Sequence, residues 1–430
     1  MRHVFASSIV AAFLGIALFG ASTTQAQTPP VIYTVDTTAD LADDNVGDGL
    51  CHTSANTCSL RAAIRQANQL TGSGGTLIQV PRGTYVLSDG ALYLGNASNP
   101  YRSLTIAGAG AAATIIDANH YDSAIFVDSS LITSISGITV RNGWSNYGGA
   151  ISNSGTLTLT RCIIEDNHAE IEGGGIASRG DLNVIKSTIR WNSANGYGGG
   201  MMLDGRTRIS DSTIDDNVAD SGGGIVNYGK YDGSNHLYLI NSTLSSNAAA
   251  TDGGGIFSDF DHSITFLYNT SVVDNDADHD HDENGGIGGG IYSQAGAQII
   301  VVNSLIARNT VAIYNEDDCH GALEAYGWNL LGEAADCVIG GNGQFSWGFV
   351  ALNTFGALQD NGGPTLTHAL LAGSQAIDST SDNLGCVDEA AAPLTTDQRG
   401  APRIAGARCD VGAFEFGAVV DPIFKSGFED

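Results

Sequence analysis

Few residues in this 430-residue chain have the type and spacing to do chemistry. Trp191 sits in the tetrad Ile189-Arg-Trp-Asn192, and similar tetrads, Ile164-Glu-Asp-Asn167 and Ile214-Asp-Asp-Asn217, stand 25 residues to either side. Stacked, the three tetrads give two columns, Glu165, Arg190, Asp215 and Asp166, Trp191, Asp216. An indole can stack on a sugar ring. Carboxylates one coil above and below it would stand about 9.6 Å apart over two strand spacings, near the upper limit for an inverting pair. Asp166, Arg190, Asp215 and Asp216 are thus the catalytic candidates, and Trp191 the glycan-contact candidate. The plainer reading is preferred: Arg190 neutralises two exposed acids while Trp191 covers a turn.

A second stretch, Asp274 to Glu283, reads Asp-Asn-Asp-Ala-Asp-His-Asp-His-Asp-Glu. Alternating carboxylates at Asp274, Asp276, Asp278, Asp280 and Asp282 suit a hard, oxygen-seeking ion such as Ca²⁺, while His279 and His281 could take Zn²⁺. The run lacks the glycine and terminal glutamate spacing of an EF-hand, and a solvated acidic loop is the competing reading. No Gly-x-Ser-x-Gly, His-Glu-x-x-His or P-loop occurs. A lyase acting on uronates would need Ca²⁺ on clustered acids and a basic residue facing them. Arg190 is the best candidate for that residue, but its acidic neighbours would hold it protonated.

The elements that must position these residues are repeats. Six tetrads close on Asn167, Asn192, Asn217, Asn247, Asn275 and Asn309, separated by 25, 25, 30, 28 and 34 residues. Each copy opens on a glycine cluster and an apolar residue. Ten places before each closing asparagine stand Leu157, Leu182, Thr207, Leu237, Thr265 and Ile299, and eight before stand Leu159, Val184, Ile209, Leu239, Leu267 and Val301. Period-two alternation turns these columns to one side, and repeats of this length stack as a solenoid. The predicted fold is all-β: a right-handed parallel β-helix, with the asparagines forming an internal amide ladder at a bend.

Arg2, the apolar run from Ile9 to Phe19 and small residues up to Ala26 read as a Sec signal peptide cleaved after Ala26. The run is far short of the roughly 20 residues that span a bilayer. The net charge of −28 argues against nucleic acid and a bare anionic membrane. Seven cysteines in an exported chain read as three bridges and one thiol. Proximity pairs Cys51 with Cys58, Cys319 with Cys337, and Cys386 with Cys409. Cys162 shares a column of small residues with Ser187, Ser212, Ser242, Thr270 and Ser304, so it reads as a buried free thiol. Ser59 to Asn68 is an amphipathic helix with Leu60, Ala63, Ile64 and Ala67 on one face and Ser59 as N-cap, placed to close the open end of the solenoid.

Two terminal segments carry a resemblance. Cys51 with Cys58-Ser-Leu-Arg-Ala-Ala-Ile64 resembles the N-terminal box of exported bacterial β-helix proteins named for Cys-Ser-Leu-Arg-Glu-Ala, with Ala62 in place of the glutamate. Asn361-Gly-Gly-Pro-Thr365 through Cys409-Asp-Val-Gly-Ala-Phe-Glu415 resembles the C-terminal module called choice-of-anchor Q. The repeats are similar to those of chlamydial polymorphic outer membrane proteins, but close on Ile, Leu or Val rather than Phe. The resemblance implies a secreted or surface β-helix of a Gram-negative bacterium, and no particular reaction.

The domain organisation read from the sequence is a signal peptide over 1–26, an N-terminal cap with its helix over 27–75, the β-helix over 76–318, last coils and a disulfide-bridged C-terminal cap over 319–416, and a tail over 417–430. The functional expectation is a monomeric adhesin or glycan-binding protein without catalysis, whose partner is a polysaccharide or a host or cell-surface glycan. Ca²⁺ is the one cofactor entertained. The alternative is a polysaccharide lyase or glycoside hydrolase acting in a groove along the helix.

Overall fold

A computed structural model describes residues 30–70, 74–95, 103–229, 235–259, 263–280, 286–312, 315–334, 336–342, 354–380 and 385–421, together with the backbone of 344–347. The signal segment, His281, Asp282 and the end of the tail lie outside the described residues. The chain is a right-handed parallel β-helix built from stacked coils. One coil shows the pattern of the rest. Thr156–Thr160 forms its first face, Ile163–Glu165 its second, His168–Glu172 its third and Ile176–Ser178 its fourth. Each strand pairs in parallel with its counterpart one coil on: Leu157 with Leu182, Ile164 with Ile189, Ile176 with Met201.

The sequence columns become the core. Leu157, Leu182, Thr207, Leu237, Thr265 and Ile299 stack in register and are buried, as are the apolar residues that open each tetrad. The third residue of each tetrad, from Asp166 and Trp191 to Arg308, is left-handed, with φ of 52° to 60°. That conformation makes the corner between the second and third faces, and the buried asparagine after it pins the corner in place. The backbone N–H and Nδ2 of Asn167 both donate to Oδ1 of Asn192, at 3.2 and 2.9 Å. The same pair of bonds recurs from Asn192 to Asn217, Asn247, Asn275 and Asn309. Beside it runs a hydroxyl ladder: Ser187 Oγ accepts from the Cys162 amide, and Ser212 Oγ from the Ser187 amide.

Glycine triplets open the fourth face for steric reasons. The first glycine of each, such as Gly173 and Gly198, has φ near +67°, where a side chain is strained. The second leaves no room: a Cβ on Gly174 would lie 2.3 Å from the Ser193 carbonyl oxygen and 2.4 Å from that of Gly199. Backbone packed this closely turns the chain sharply from the third face onto the fourth.

The helix Leu60–Gln69 covers the first coils, with Ser59 accepting from the Ala62 amide at 3.0 Å. Arg61 is buried with it and clasps Asp40 at 2.7 and 2.9 Å. Disulfides join Cys51 to Cys58, Cys319 to Cys337 and Cys386 to Cys409, and Cys162 is free and buried.

The segment after the last coils does not continue the stack. From Thr354 on it lies against the outside of the second face. Val273, Leu305 and Ala307 of the solenoid share an apolar cluster with Phe355, Leu370 and Val411. Polar contacts flank it. Arg403 Nη2 donates to Asn241 Oδ1 at 2.6 Å, Thr243 Oγ1 to Gln398 Oε1 at 2.6 Å, and the Ala413 amide to Ser271 Oγ at 3.1 Å.

Candidate functional site

The columns around Trp191 stack in the register their spacing requires, since Glu165, Arg190 and Asp215 are neighbours on the second face. They do not form an open acid pair. Arg190 donates to Glu165 Oε2 at 3.0 and 2.8 Å and lies 4.0 Å from the Trp191 ring centroid, while Trp191 Nε1 donates to Asp216 at 3.3 Å. Asp166 is exposed at its corner. Asp215 corrects the expectation of an outward column of exposed residues: its exposure is 3%, because the C-terminal segment covers the second face from this coil onward. Thr213, two residues away, donates to the Leu366 carbonyl across that contact. Burial, with help from Asp216 and against Arg190, pushes the Asp215 carboxyl up to about 7.

The acidic run is likewise dispersed. Asp274 is held by Arg308 at 2.8 and 2.5 Å, Asp276 accepts from Thr310 at 2.6 Å, Asp278 is buried and Asp280 is exposed. The chain turns at Asp274 and again at Asp278, both at positive φ, which separates side chains that alternate along the sequence. Among the described residues no three His, Cys, Asp or Glu side chains converge on a point that could hold a metal ion. Asp282 and His281 lie outside the described residues.

A concavity lies elsewhere, a groove of about 540 Å³ on the outside of the fourth face. Three columns build it, each at a fixed offset from a glycine triplet. One wall is the residue just before the triplet: Glu172, Tyr197, Ser221, Asp252. The floor is the residue after the apolar one that follows the triplet: Ala177, Met202 and Phe257, with the fully buried Val226 in the same column and Tyr292 continuing it beyond. The far wall is two residues further on: Arg179, Asp204, Tyr228, Asp259, Gln294. Strand alternation puts floor and far wall on the outer face, and the glycines turn the near wall up beside them.

The floor is apolar. Met202, Val226 and Phe257 form an outward cluster with Tyr228 and Tyr292 against it, and the Phe257 and Tyr292 rings are 5.0 Å apart. The walls are acidic. Arg179 faces Glu172 at 3.5 Å and lies over the Tyr147 ring at 5.2 Å. Asp204 accepts from Asn235 at 3.3 Å. Asp252 accepts from the Ile287 amide at 3.2 Å, and burial pushes its carboxyl up against that bond and the pull of His320. Burial, reinforced by Asp252 and Asp259, also raises the Tyr292 hydroxyl.

Sequence reasoning missed this groove, although its signal was present. The residue after each Gly-Gly-Gly-apolar opening grows from Ala177 through Met202 to Phe257 and Tyr292, an outward position becoming large and aromatic.

No family model matches the chain, and no curated protein resembles it in sequence. Among solved structures a pectate lyase, Pel9A, is similar with a TM-score of 0.46 and 13% identity, over 91% of this chain and 97% of that one.

Proposed function

We propose that this is an exported, non-catalytic β-helix protein that binds a polysaccharide outside the cell, along the groove of the fourth face. The observation that carries the reading is an apolar and aromatic floor running between two hydrogen-bonding walls over successive coils. Pyranose rings present one apolar face and a rim of hydroxyls, which such a trough matches on every side. The exposed Tyr147 and Tyr197 extend the aromatic surface along the near wall. The signal-like N-terminus and the terminal segments that resemble those of exported β-helix proteins support an extracellular setting.

Retention on a panel of immobilised neutral, amino- and uronate-containing polysaccharides tests the reading. Phe257→Ala with Tyr292→Ala is expected to abolish retention of the polymer that the wild type holds. Retention unchanged in that variant places binding elsewhere and overturns the proposal.

One observation favours a second reading, hydrolysis. Asp252 is a partly buried carboxyl with a raised pKa in the same trough as Asp259, the environment of a general acid. Release of reducing ends by the wild type, lost in Asp252→Asn, would establish it in place of simple binding. A lyase is disfavoured by the ties of Arg190 to Glu165 and of Arg179 to Glu172.

A further inference from the structure

The third face carries its large side chains on the outside. Its inward column is alanine throughout, with Ala169, Ala194, Ala219, Ala249 and Ala277 all buried. Outside stand Trp144, Tyr147, Ile171, Trp191, Tyr197 and Val218, on this face or at its two corners over four successive coils, each 39 to 48% exposed. Further along, the face turns small and polar, Val218 giving way to Ala248 and then Asp276 in one column. An interior that takes only alanine has no place for these rings, so they are not core residues that spill outward. A cluster of exposed aromatic side chains of this kind marks a contact surface.

Three of the four rings are fixed by their neighbours. Trp144 packs on His168 with ring centroids 4.2 Å apart, and its Nε1 donates to Glu170 at 2.9 Å, a carboxylate that also accepts from Asn195 of the next coil at 2.8 Å. The guanidinium of Arg179 lies 5.2 Å from the Tyr147 ring centroid, and that of Arg190 lies 4.0 Å from the centroid of Trp191. Rings held in place before a ligand arrives lose little freedom when it covers them.

Their spacing and surroundings narrow the ligand. Tyr147 and Tyr197 both pair with Glu172 of the coil between them, and Trp144 and Trp191 likewise belong to coils two steps apart. Aromatic rings thus recur at about 9.6 Å along the axis. In a ribbon of β-1,4-linked hexopyranoses each ring is turned over relative to the next, so the same apolar face returns at every second sugar, close to this spacing. A coiled α-linked chain has no such period. Asp166 and Asp216, one coil to either side of Trp191, are exposed, as is Asp220, two residues after Val218. A uronate chain, an anionic membrane or a second copy of this chain, whose net charge is −28, would each bring like charge against them. An uncharged glycan brings none.

Resting on the reading of the protein as polysaccharide-binding, we infer that the third face is a flat stacking platform for a neutral, β-1,4-linked polysaccharide lying along the solenoid axis. Of the six side chains that make it, only Tyr197 also lines the fourth-face groove.

Depletion of the protein from solution by microcrystalline cellulose, chitin and granular starch tests this. Cellulose and chitin are expected to take up the wild type at least about tenfold more tightly than starch. Raised salt should leave that uptake unchanged, because stacking is not screened. Trp144→Ala with Trp191→Ala should weaken it at least about tenfold, while Trp144→Phe with Trp191→Phe should keep most of it, the melting temperature reporting that both variants are folded. No uptake of the wild type by either β-1,4-linked solid would overturn the inference, and starch held as tightly would overturn the match to a ribbon. Uptake unchanged in the alanine pair but lost in Phe257→Ala with Tyr292→Ala would leave binding to the groove and overturn the platform. The reverse pattern would support the platform and overturn the groove reading. A dimer in sedimentation velocity that the alanine pair dissociates would give this face to a second copy and overturn the inference as well.

Discussion

Asn309 donates both its backbone N–H and its Nδ2 to one oxygen of Asp318, at 2.8 and 2.7 Å. The amide ladder thus ends on a carboxylic acid. The other oxygen of Asp318 accepts from the Glu333 amide at 2.7 Å, tying the ladder to the last coils. Burial pushes this carboxyl up to about 7, against the bonds from Asn309 and Glu333.

Replacing the terminus separates its role as acceptor from its charge. Asp318→Ala leaves two buried donors of Asn309 without an acceptor, at a cost of about 2 to 5 kcal/mol. Asp318→Asn keeps the acceptor for Asn309 and gives up only the bond from Glu333. Thermal melts at neutral pH are expected to rank alanine well below asparagine. Equal melting temperatures for the alanine variant and the wild type would show that the ladder's end contributes nothing.

Asp215 gives the pH dependence a defined sign. Its carboxyl is raised from an ordinary carboxylate value to about 7, and its Oδ1 has no hydrogen-bond partner. Between those two pKa values the native state binds the proton that the unfolded chain has released, so the group's contribution to stability falls as pH rises from about 4 to about 7. Asp215→Asn removes that loss. The variant should match the wild type near pH 4 and exceed it near pH 8 by on the order of 4 kcal/mol. Denaturant unfolding of both proteins at the two pH values measures the difference, and an advantage of the variant over the wild type no larger near pH 8 than near pH 4 contradicts the assignment.

The solenoid was legible in the sequence because its signal is repeated. Each of the columns headed by Leu157, Leu159 and Asn167 restates the same alternation, and an error in one coil is corrected by the next. Asp215 was misread because what buries it lies some 150 residues away in sequence, at Leu366. Yet the outward column did carry a hint. It runs from Glu165 and Arg190 to Ser245, Val273 and Ala307, turning from charged to apolar where the C-terminal segment covers it. The groove escaped for a different reason. Its three columns are variable positions flanking the glycine triplets, and only stacking coils of unequal length brings them into one trough.

Arg61 lies in the Cys-Ser-Leu-Arg segment, and its role emerges only in three dimensions. Besides clasping Asp40, it donates to the Gly90 and Ala91 carbonyls at 2.7 and 3.1 Å, locking the capping helix to the first coils. Burial would raise Asp40, but Arg61 and the Ser88 and Asp89 amides more than offset it and hold the carboxyl low. Arg61→Ala strands a buried carboxylate and should cost about 3 to 5 kcal/mol. Hydrogen exchange of helix amides is expected to accelerate before that of the central coils. Uniform acceleration throughout would contradict a local clasp.

Cys162 heads the hydroxyl ladder, with Sγ 3.5 Å from the Ile135 and Thr160 carbonyl oxygens. Burial pushes the thiol up to about 11. It should stay silent to a thiol reagent in the native state and react once the chain unfolds. Cys162→Ser reproduces the bond that Ser187 makes to the Ile185 carbonyl at 2.9 Å, so the variant should fold with stability within about 1 kcal/mol of the wild type. Labelling of the native thiol as fast as that of the unfolded chain would contradict its placement.

The docked C-terminal segment is held partly by a fully buried cation, and this makes its attachment depend on pH. Arg403 donates to Asn241 on the solenoid and to the Gly412 carbonyl at 2.7 Å, with Glu415 3.8 Å away. Around it, burial raises Glu415 to about 7 and Asp211 to about 6, and in each case Arg403 opposes the rise. Arg403→Met removes that opposition, so both native pKa values climb further. The carboxyls must then either ionise in apolar surroundings or keep protons that the unfolded chain releases. The penalty is therefore largest above about pH 7, at roughly 3 to 5 kcal/mol, and shrinks toward pH 5, where the acids are neutral already. Limited proteolysis is expected to cut the variant near residues 385–415 at pH 8 while sparing it at pH 5. Cleavage that is equally fast at both pH values would show that Arg403 acts through packing rather than through its charge.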